Sequence, residues 1–408
     1  MTDKLDMNGV FAIHKPTGIT SAQFLARLQR LFTESSVFSQ DLADLRGAKV
    51  QQLQKEGQRA SRRKLRKVMK VKMGHGGTLD PLATGVMVVG VGKGTKKLQN
   101  YLSGSVKTYE TKALFGASTT TGDVEGEVLT RAGTKHLTKD DVTTISEKFT
   151  GHLKQTPPIF AALKMNGKPL YEYAREGLPL PKAIEPRSVE VYELEVFEDT
   201  LSTDHAYEMI KSAEVDGDKL EDKLAKNPTL NDSKLYISQE YSEKNGISDE
   251  IEHLQPQPVS EEEKADDFKA PLLHFRAKVS SGTYIRSLIS DIGRALKSNA
   301  YMVKLERTQQ AEWELGKNVF TIEDFELKDE AVWGQVLSQV FEKGGENVHS
   351  LSDLFEKAQK DVDLKKQHEQ DILESIKTNT EANQHLETST LEEDINPLKR
   401  QAEDTLEQ

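Results

Sequence analysis

A single carboxylate, Asp80, lies in a loop punctuated by glycines, which reads Gly-His-Gly-Gly-Thr-Leu-Asp-Pro-Leu-Ala-Thr-Gly over residues 74–85. The three glycines before Asp80 permit backbone conformations and close approaches that a side chain would block, as when main chain lies against a bulky ligand. Pro81 then fixes the next turn. Because Asp followed by Pro is also an ordinary helix start, the local sequence by itself favours a helix cap at Asp80.

Several other kinds of catalytic chemistry are excluded by composition. The chain has no cysteine, which rules out disulfides and thiolate chemistry and fits a reducing compartment. Its ten histidines show no metal-ligand spacing, so we expect no metal, and no phosphate-cradling Gly-x-x-x-x-Gly-Lys-Ser/Thr loop occurs. The remaining candidate is a lone carboxylate that acts beside a bound polyanion. Chemistry on a base would require flipping it into a pocket, where a buried aspartate needs a cation such as arginine to stay ionised.

Charge is distributed very unevenly along the 408 residues. The net charge is -11, which taken alone argues against a nucleic-acid partner. Residues 198–270 and 321–408 together contribute -25, so the remaining 247 residues carry +14. A basic body with acidic appendages is typical of a protein that binds a polyanion.

A basic run precedes the glycine loop. Residues 55–72 contain nine Lys or Arg and one acid, Glu56, with a dense centre formed by Arg62, Arg63, Lys64, Arg66 and Lys67. Such runs are as often a solvated helix or an unstructured arm as a binding site. The position next to the loop favours a grip on phosphate, and a nuclear address is the alternative.

Periodicity predicts an α+β chain. Strands are expected at 10–13, 107–115 with Tyr109 facing inward, 188–197 with a bulge between Val191 and Tyr192, 272–279 and 301–308. Helices are expected after a cap at Thr20 or Ser21 and at 142–149, 171–175, 283–296 and 332–341. We interpret 119–126 as an exposed turn.

Five segments, in order and spacing, resemble those of the TruB-type tRNA pseudouridine synthases, in the stand-alone eukaryotic (fungal) form. The loop 74–85 followed by Val-Met-Val-Val resembles the catalytic motif of that family. The other four are Lys15-Pro16-Thr17-Gly18-Ile19-Thr20-Ser21, Lys107-Thr108-Tyr109, Ser281-Gly282-Thr283-Tyr284-Ile285-Arg286-Ser287-Leu288 and Leu305-Glu306-Arg307-Thr308.

The resemblance implies the pseudouridine synthase fold, with a mixed, largely antiparallel central sheet flanked by helices and loops, polar insertions and no PUA domain. The catalytic domain would comprise 8–197 and 271–320, with a basic insertion at 35–72. The acidic insertion 198–270 is expected to be partly disordered. A helical extension at 321–360 and an acidic disordered tail at 361–408 would follow.

The resemblance also implies an activity, the isomerisation of uridine 55 in the T-loop of tRNA to pseudouridine, without a cofactor. Asp80 would be the catalytic aspartate, which attacks the ribose or abstracts a proton while the glycosidic bond breaks and re-forms through carbon 5. A helix-cap position could coexist with that role. Tyr109 would stack on the flipped uracil and Arg286 would pair with Asp80. On local sequence alone, Tyr109 is an ordinary core tyrosine and Arg286 a polar residue in a first helical turn.

Further residues are assigned to RNA binding by family position. His75 would enter the space vacated in the T-loop, Tyr284 would line the pocket and Leu305 would form its wall. Lys15, with Pro16, would support the catalytic loop. The basic run before the loop, and not a family position, adds Arg62, Arg63, Lys64, Arg66 and Lys67 to the RNA-binding set.

The expected partner is the T-arm of tRNA, with no metal and no membrane. A monomer is the default expectation. No apolar stretch approaches the eighteen or so residues that span a bilayer. We expect a nuclear and cytoplasmic protein; the resemblance leaves a mitochondrial pool open, although residues 1–7 contain two acids and no arginine, unlike a leader.

Two other functions stay open at this point. A guide-RNA-dependent, dyskerin-like synthase is one, although Pro-Leu-Ala-Thr-Gly after Asp80 resembles the stand-alone branch. An RNA chaperone or scaffold is the other, since a basic body alone would suffice for it.

Overall fold

The computed structural model describes residues 6–210, 228–252 and 254–404, with side chains to residue 378. Its strands are β1 (Gly9–Lys15), β2 (Met73–His75), β3 (Thr84–Val91), β4 (Lys107–Phe115), β5 (Ala117–Thr119), β6 (Val128–Arg131), β7 (Gly151–Gln155), β8 (Lys164–Met165), β9 (Lys168–Pro169), β10 (Arg187–Val196), β11 (Leu235–Tyr236), β12 (Glu250–Ile251), β13 (Leu272–Val279), β14 (Ala300–Gln310), β15 (Trp313–Glu314) and β16 (Val319–Phe320). Its α-helices are α1 (Ser21–Glu34), α2 (Ser39–Lys55), α3 (Arg62–Leu65), α4 (Leu98–Ser103), α5 (Lys139–Phe149), α6 (Leu170–Arg175), α7 (Gln239–Asn245), α8 (Ile285–Ala295), α9 (Glu323–Glu326), α10 (Glu330–Lys343) and α11 (Leu351–Asp404).

One ten-stranded sheet organises the described residues. Its path is β16-β1-β3-β14-β4-β13-β10-β7, with β2 paired to β3 and β15 to β14. Only the β1–β16 and β3–β14 pairs are parallel. The prediction of an α+β fold around a mixed, largely antiparallel sheet is therefore confirmed. Seven of the eight residues of β3 are buried, as its unbroken apolar sequence requires of a central strand.

The predicted irregularity in β10 is also confirmed. The register of β10 against β13 shifts between Val191 and Glu193, where the apolar phase of the sequence changes. An extra residue at that point returns the following apolar side chains to the buried face.

Helices cover the sheet with apolar faces that follow helical spacing. Helix α1 buries Phe24, Leu28 and Phe32 and begins at Thr20, whose side chain forms a capping box with Gln23. The helical extension belongs to the same core, because Trp333 of α10 stacks on Phe32 at 5.5 Å.

One of two expectations about polar segments needs correction, and the other, a partly disordered insertion at 198–270, stays a prediction. The tail 361–408 was expected to be disordered, yet α11 continues to Asp404. A charged segment with few apolar residues is typical of disorder, but Lys, Glu, Gln and Leu also favour helix. The described part of 198–270 includes the β11–β12 ribbon and α7, and residues 211–227 and 253, on which part of the expected disorder falls, lie outside the described residues. Among the helices that are described, none has the length and apolar character to cross a membrane.

Candidate active site

Asp80 lies in the connection between β2 and β3, and no helix follows it. The helix cap favoured by the local sequence is therefore wrong, as is the idea that a cap could coexist with catalysis. The Asp80 carbonyl accepts only a turn hydrogen bond from Ala83 N at 3.1 Å. From Thr84 onward the chain is held in β3 by strands on both sides, which overrides the helical preference of Asp-Pro.

The Asp80 carboxylate pairs with Arg286, as the resemblance implied. Asp80 Oδ2 lies 2.8 Å from Arg286 Nη2. The arginine side chain is only 5% exposed, whereas the aspartate is 35% exposed. Arg286 lies in the first turn of α8, and its guanidinium also donates to the carbonyls of Thr121 at 2.7 Å and Phe160 at 2.8 Å. The arginine is thus fixed from behind and presents a carboxylate that solvent or a ligand can reach.

A second carboxylate, Asp123, also faces Arg286. Its Oδ2 lies 3.8 Å from Arg286 Nε, and it is 4% exposed. Thr121 Oγ1 and Glu125 N donate to Asp123 Oδ1 at 2.6 and 3.0 Å. The turn 119–126 is therefore not the exposed turn that we predicted, because Thr119 and Asp123 are buried. Burial, followed by repulsion from Asp123 and then Asp80, raises the pKa of the Glu125 carboxyl.

The amino-terminal motif anchors the catalytic loop from one side. Lys15 Nζ donates to the carbonyls of Ala83 at 2.7 Å, Pro16 at 2.8 Å and Pro81 at 3.3 Å. Ser21 Oγ donates to Leu79 O and accepts from Leu79 N, both at 2.8 Å. These bonds hold the main chain on both sides of Asp80.

Further bonds from the same motif complete the anchor. Thr17 Oγ1 donates to Leu82 O at 2.9 Å and Gly18 N donates to Pro81 O at 2.8 Å. Lys15 therefore supports the catalytic loop, as expected, but its place in the RNA-binding set is wrong, since its side chain is fully buried and its ammonium group is occupied by carbonyls. Burial, partly offset by the nearby Asp80 charge, lowers the pKa of Lys15 to about 8.

Strand β14 anchors the loop from the other side. Buried Arg307 donates from Nε to Val86 O at 2.6 Å and from Nη2 to Gly77 O at 3.3 Å. Gln310 Nε2 donates to Gly76 O at 2.7 Å. A Cβ on Gly85 would lie 2.2 Å from the Arg307 carbonyl oxygen, and Gly85 has φ +104, so glycine is required there for both reasons.

Leu305 lies on β14 itself, and Tyr109 lies on the neighbouring strand β4. Tyr109 pairs across β4–β14 with Arg307, which in turn pairs with Gly85 of β3. The tyrosine is therefore two strands, about 10 Å, from the point where the loop enters β3. Both side chains are nearly buried, at 8% for Tyr109 and 6% for Leu305.

His75 and Tyr284 are partly buried and uncharged at neutral pH. His75 ends β2, and its pKa is lowered by burial and by the Arg307 charge. Its Nδ1 atom is buried and has no hydrogen-bond partner of good geometry among the described residues, although the Gly77 backbone lies close enough to oppose the fall in pKa. Tyr284 precedes α8, with its backbone N donating to Gln155 Oε1 at 2.7 Å, and burial raises the pKa of its hydroxyl.

The five basic residues at the centre of the run occupy α3 and the turn after it. All five side chains are exposed, while Leu65 between them is buried. The structure does not bring them into the ion pair of Asp80. They form a separate surface at the far end of α1.

Sequence reasoning found Asp80, and the resemblance found Arg286, but three site residues were missed. Asp123 was hidden in a turn pattern, where Thr-Gly-Asp gives no periodic sign of burial. Arg307 and Gln310 lie in β14, and the alternation along a strand indicates only which face of the sheet a side chain is on. Among the side chains that are described, no group of three or more His, Asp or Glu could hold a metal ion.

Comparison with known proteins places the chain in a family. Residues 44–213 match the family model described as TruB family pseudouridylate synthase (N terminal domain). The protein named tRNA pseudouridine synthase 4 of Saccharomyces cerevisiae is 53% identical, over 97% of this chain and all of its own. Its namesake in Schizosaccharomyces pombe is 36% identical, over 83% of this chain and 86% of its own. This chain is a member of the TruB family of pseudouridylate synthases.

Solved structures are more distant. The crystal structure of a Cbf5-Nop10-Gar1 complex contains a chain 19% identical to this one, with a TM-score of 0.42. The match covers 85% of this chain and 61% of that chain.

Proposed function

We propose that the protein converts uridine 55 in the T-loop of tRNA to pseudouridine, without a cofactor, and acts as a monomer. The observation that carries this proposal is the pair of Asp80 Oδ2 and Arg286 Nη2 at 2.8 Å, in which the arginine is buried and the aspartate is open. A carboxylate held in this way stays ionised while one face remains available to a flipped nucleotide.

The reaction breaks the bond between N1 of uracil and C1′ of the ribose. The detached uracil turns and forms a bond from C5 to C1′; C5 then loses its proton and N1 gains one, so no atom is added overall. Asp80 either attacks the ribose or removes a proton, and both roles require an ionised carboxylate in a fixed position. A single carboxylate suffices, unlike ordinary glycoside hydrolysis, which divides the work between two.

The surrounding residues serve this carboxylate. Arg286 holds its charge and direction, and Asp123 holds Arg286 from the buried side. Tyr109 would stack on the uracil, with Leu305 as the pocket wall and Tyr284 at its edge. Neutral His75, whose buried Nδ1 has no partner of good geometry in the described residues, would occupy the T-loop space that the flipped base leaves.

A direct test uses the purified protein and an unmodified tRNA transcript without added cofactor. Pseudouridine is mapped by chemical derivatisation and primer stopping, and a transcript with cytidine at position 55 is the control. The proposal predicts one stop, at position 55. A stop elsewhere contradicts the site assignment, a requirement for guide RNA indicates a guided enzyme, and binding without product favours the scaffold function.

A further inference from the structure

A cleft of about 760 Å³ lies between α1 and the segment that includes α3. Helix α1 contributes Arg30 to its lining, and the facing segment contributes Arg62, Arg63, Arg66 and Lys70. The four side chains from the facing segment are exposed. One acid, Glu34, also lines the cleft. The cleft is therefore strongly cationic in a chain whose net charge is negative.

The cleft is held open by contacts between its two walls. Gln29 Nε2 donates to Val71 O at 2.8 Å, and Val71 N donates to Thr33 Oγ1 at 3.1 Å. Val71, at the end of the facing segment, is buried in the main hydrophobic core, and Leu65 within the segment is also buried. A ligand would meet a largely preformed site.

The chemistry of the lining selects the ligand. Arginine forks bind phosphate through two parallel hydrogen bonds, and four of the five cations are arginines. None of the ion pairs within 4 Å in the described residues uses Arg62, Arg63 or Arg66. Ala26 and Met69 also line the cleft, with Met69 43% exposed, so an apolar surface lies beside the cations. The arginine forks would bind the phosphates of a sugar–phosphate chain, and the apolar surface beside them would contact its ribose rings.

Both walls of the cleft lead to the catalytic loop. Helix α1 begins at Ser21, which bonds Leu79 in the loop, and Arg30 is nine residues, or about 14 Å, further along its axis. The facing segment continues through Lys70 into β2, which ends at His75. Helix α1 and the segment that leads into β2 would therefore fix the position of a bound nucleic acid relative to Asp80.

We infer that this cleft binds the phosphodiester backbone of the substrate RNA outside the loop that contains the target uridine. The inference rests on the proposed function for the identity of the polyanion and extends it to a second contact site, to which α1 contributes Arg30. The cleft would contribute to the affinity for the substrate RNA and to its orientation, and it would take no part in the reaction.

The test compares two triple variants that each remove three positive charges. Arg30→Gln/Arg62→Gln/Arg66→Gln neutralises the cleft. Lys357→Gln/Lys360→Gln/Lys365→Gln neutralises three exposed lysines of α11 as a matched control. Affinity for an unmodified tRNA transcript is measured from about 0.05 to 0.3 M salt, and thermal unfolding checks that each variant is folded.

We expect the cleft variant to bind at least about tenfold more weakly at 0.1 M salt and its slope of log K against log salt to fall by about 2 to 3. The control should bind as the wild type does. If the cleft variant and the wild type have equal affinities and equal slopes of log K against log salt, the inference is wrong. An acidic protein segment would then be the better candidate ligand for the cleft. If the wild type binds tRNA through the cleft yet makes no pseudouridine, the proposed function fails and the cleft inference stands.

Discussion

Arg286 is a single cation between two carboxylates, with its guanidinium also bonded to two carbonyls. Lysine at this position keeps the charge but cannot form the same set of bonds from one ammonium group. We expect Arg286→Lys to lower the single-turnover rate of pseudouridine formation at least about 100-fold, because the carboxylate of Asp80 loses its fixed direction.

Arg276→Lys is a suitable control, since Arg276 is 47% exposed and its partners in the described residues, Glu110, Glu195 and the ring of Phe197, are not part of the site. It should react at close to the wild-type rate. A full rate for Arg286→Lys would show that charge alone suffices and that the geometry of the pair is unimportant.

Lys15 gives a pH dependence of stability with a definite sign. Its pKa is about 8 in the folded protein and about 10.5 when unfolded. Between these values the unfolded state binds more protons, so the Lys15 contribution to the free energy of unfolding increases as pH rises from 8 towards 10. We subtract the free energy of unfolding of Lys15→Met from that of the wild type. We expect this difference to increase by about 1–3 kcal/mol over that range, measured by denaturant unfolding. A constant or shrinking difference would contradict the burial of a charged Lys15.

Individual side chains were the hardest feature to predict from sequence. Local sequence assigned Asp80 to a helix cap, and the error arose because strand pairing from Thr84 onward is a tertiary effect. Only the family motifs indicated Arg286. Asp123 had no signal, because a buried carboxylate in a turn is defined by the residues that surround it in space.

At the scale of elements, the start of helix α1 supports the catalytic loop. Ser21 forms two buried hydrogen bonds to Leu79. We expect Ser21→Ala to lower the free energy of unfolding by about 1–3 kcal/mol and the reaction rate about tenfold, because both polar groups of Leu79 lose their partner. Ser103→Ala, which alters an exposed hydroxyl on α4, should change neither quantity. An unaltered reaction rate in Ser21→Ala would show that α1 does not position the catalytic loop.

The acidic insertion reaches the back of the site. Leu230 Cδ1 would lie 3.0 Å from a Cβ on Gly122, next to Arg286 Cβ, and Arg294 of α8 donates to Ser233 O at 2.6 Å. We therefore expect Leu230→Ala to slow the reaction about fivefold, equivalent to about 1 kcal/mol, with unchanged tRNA affinity.

Ile247→Ala provides the control for this prediction, because Ile247 is in the same insertion but is 52% exposed. The two variants are compared by single-turnover rate at saturating enzyme. Equal rates would indicate that the insertion merely covers the sheet.

Most elements could be predicted because their periodicity is local. The strand at 107–115 and the bulge in β10 follow directly from the alternation of apolar side chains. The long α11 was missed because its composition serves a solvated helix and a disordered tail equally well. Strand order was also beyond the sequence, since the parallel pairing of β3 and β14 joins residues more than 200 positions apart.

At the scale of the whole molecule, charge is segregated into a basic body and acidic appendages. The count by segment predicted a polyanion partner, and the structure places four arginines and one lysine in one cleft at the end of α1. Family membership supplies what charge cannot, the class of pseudouridylate synthases, and our proposal assigns the chemistry to the carboxylate near the other end of that helix.

The central claim is that Asp80 performs the chemistry. Asp80→Asn keeps the size and shape of the side chain and removes its charge. Wild type and Asp80→Asn are compared at saturating protein with an unmodified tRNA transcript, and pseudouridine at position 55 is quantified. The account predicts no product from Asp80→Asn while the transcript remains bound. Product at a rate comparable to that of the wild type would contradict it.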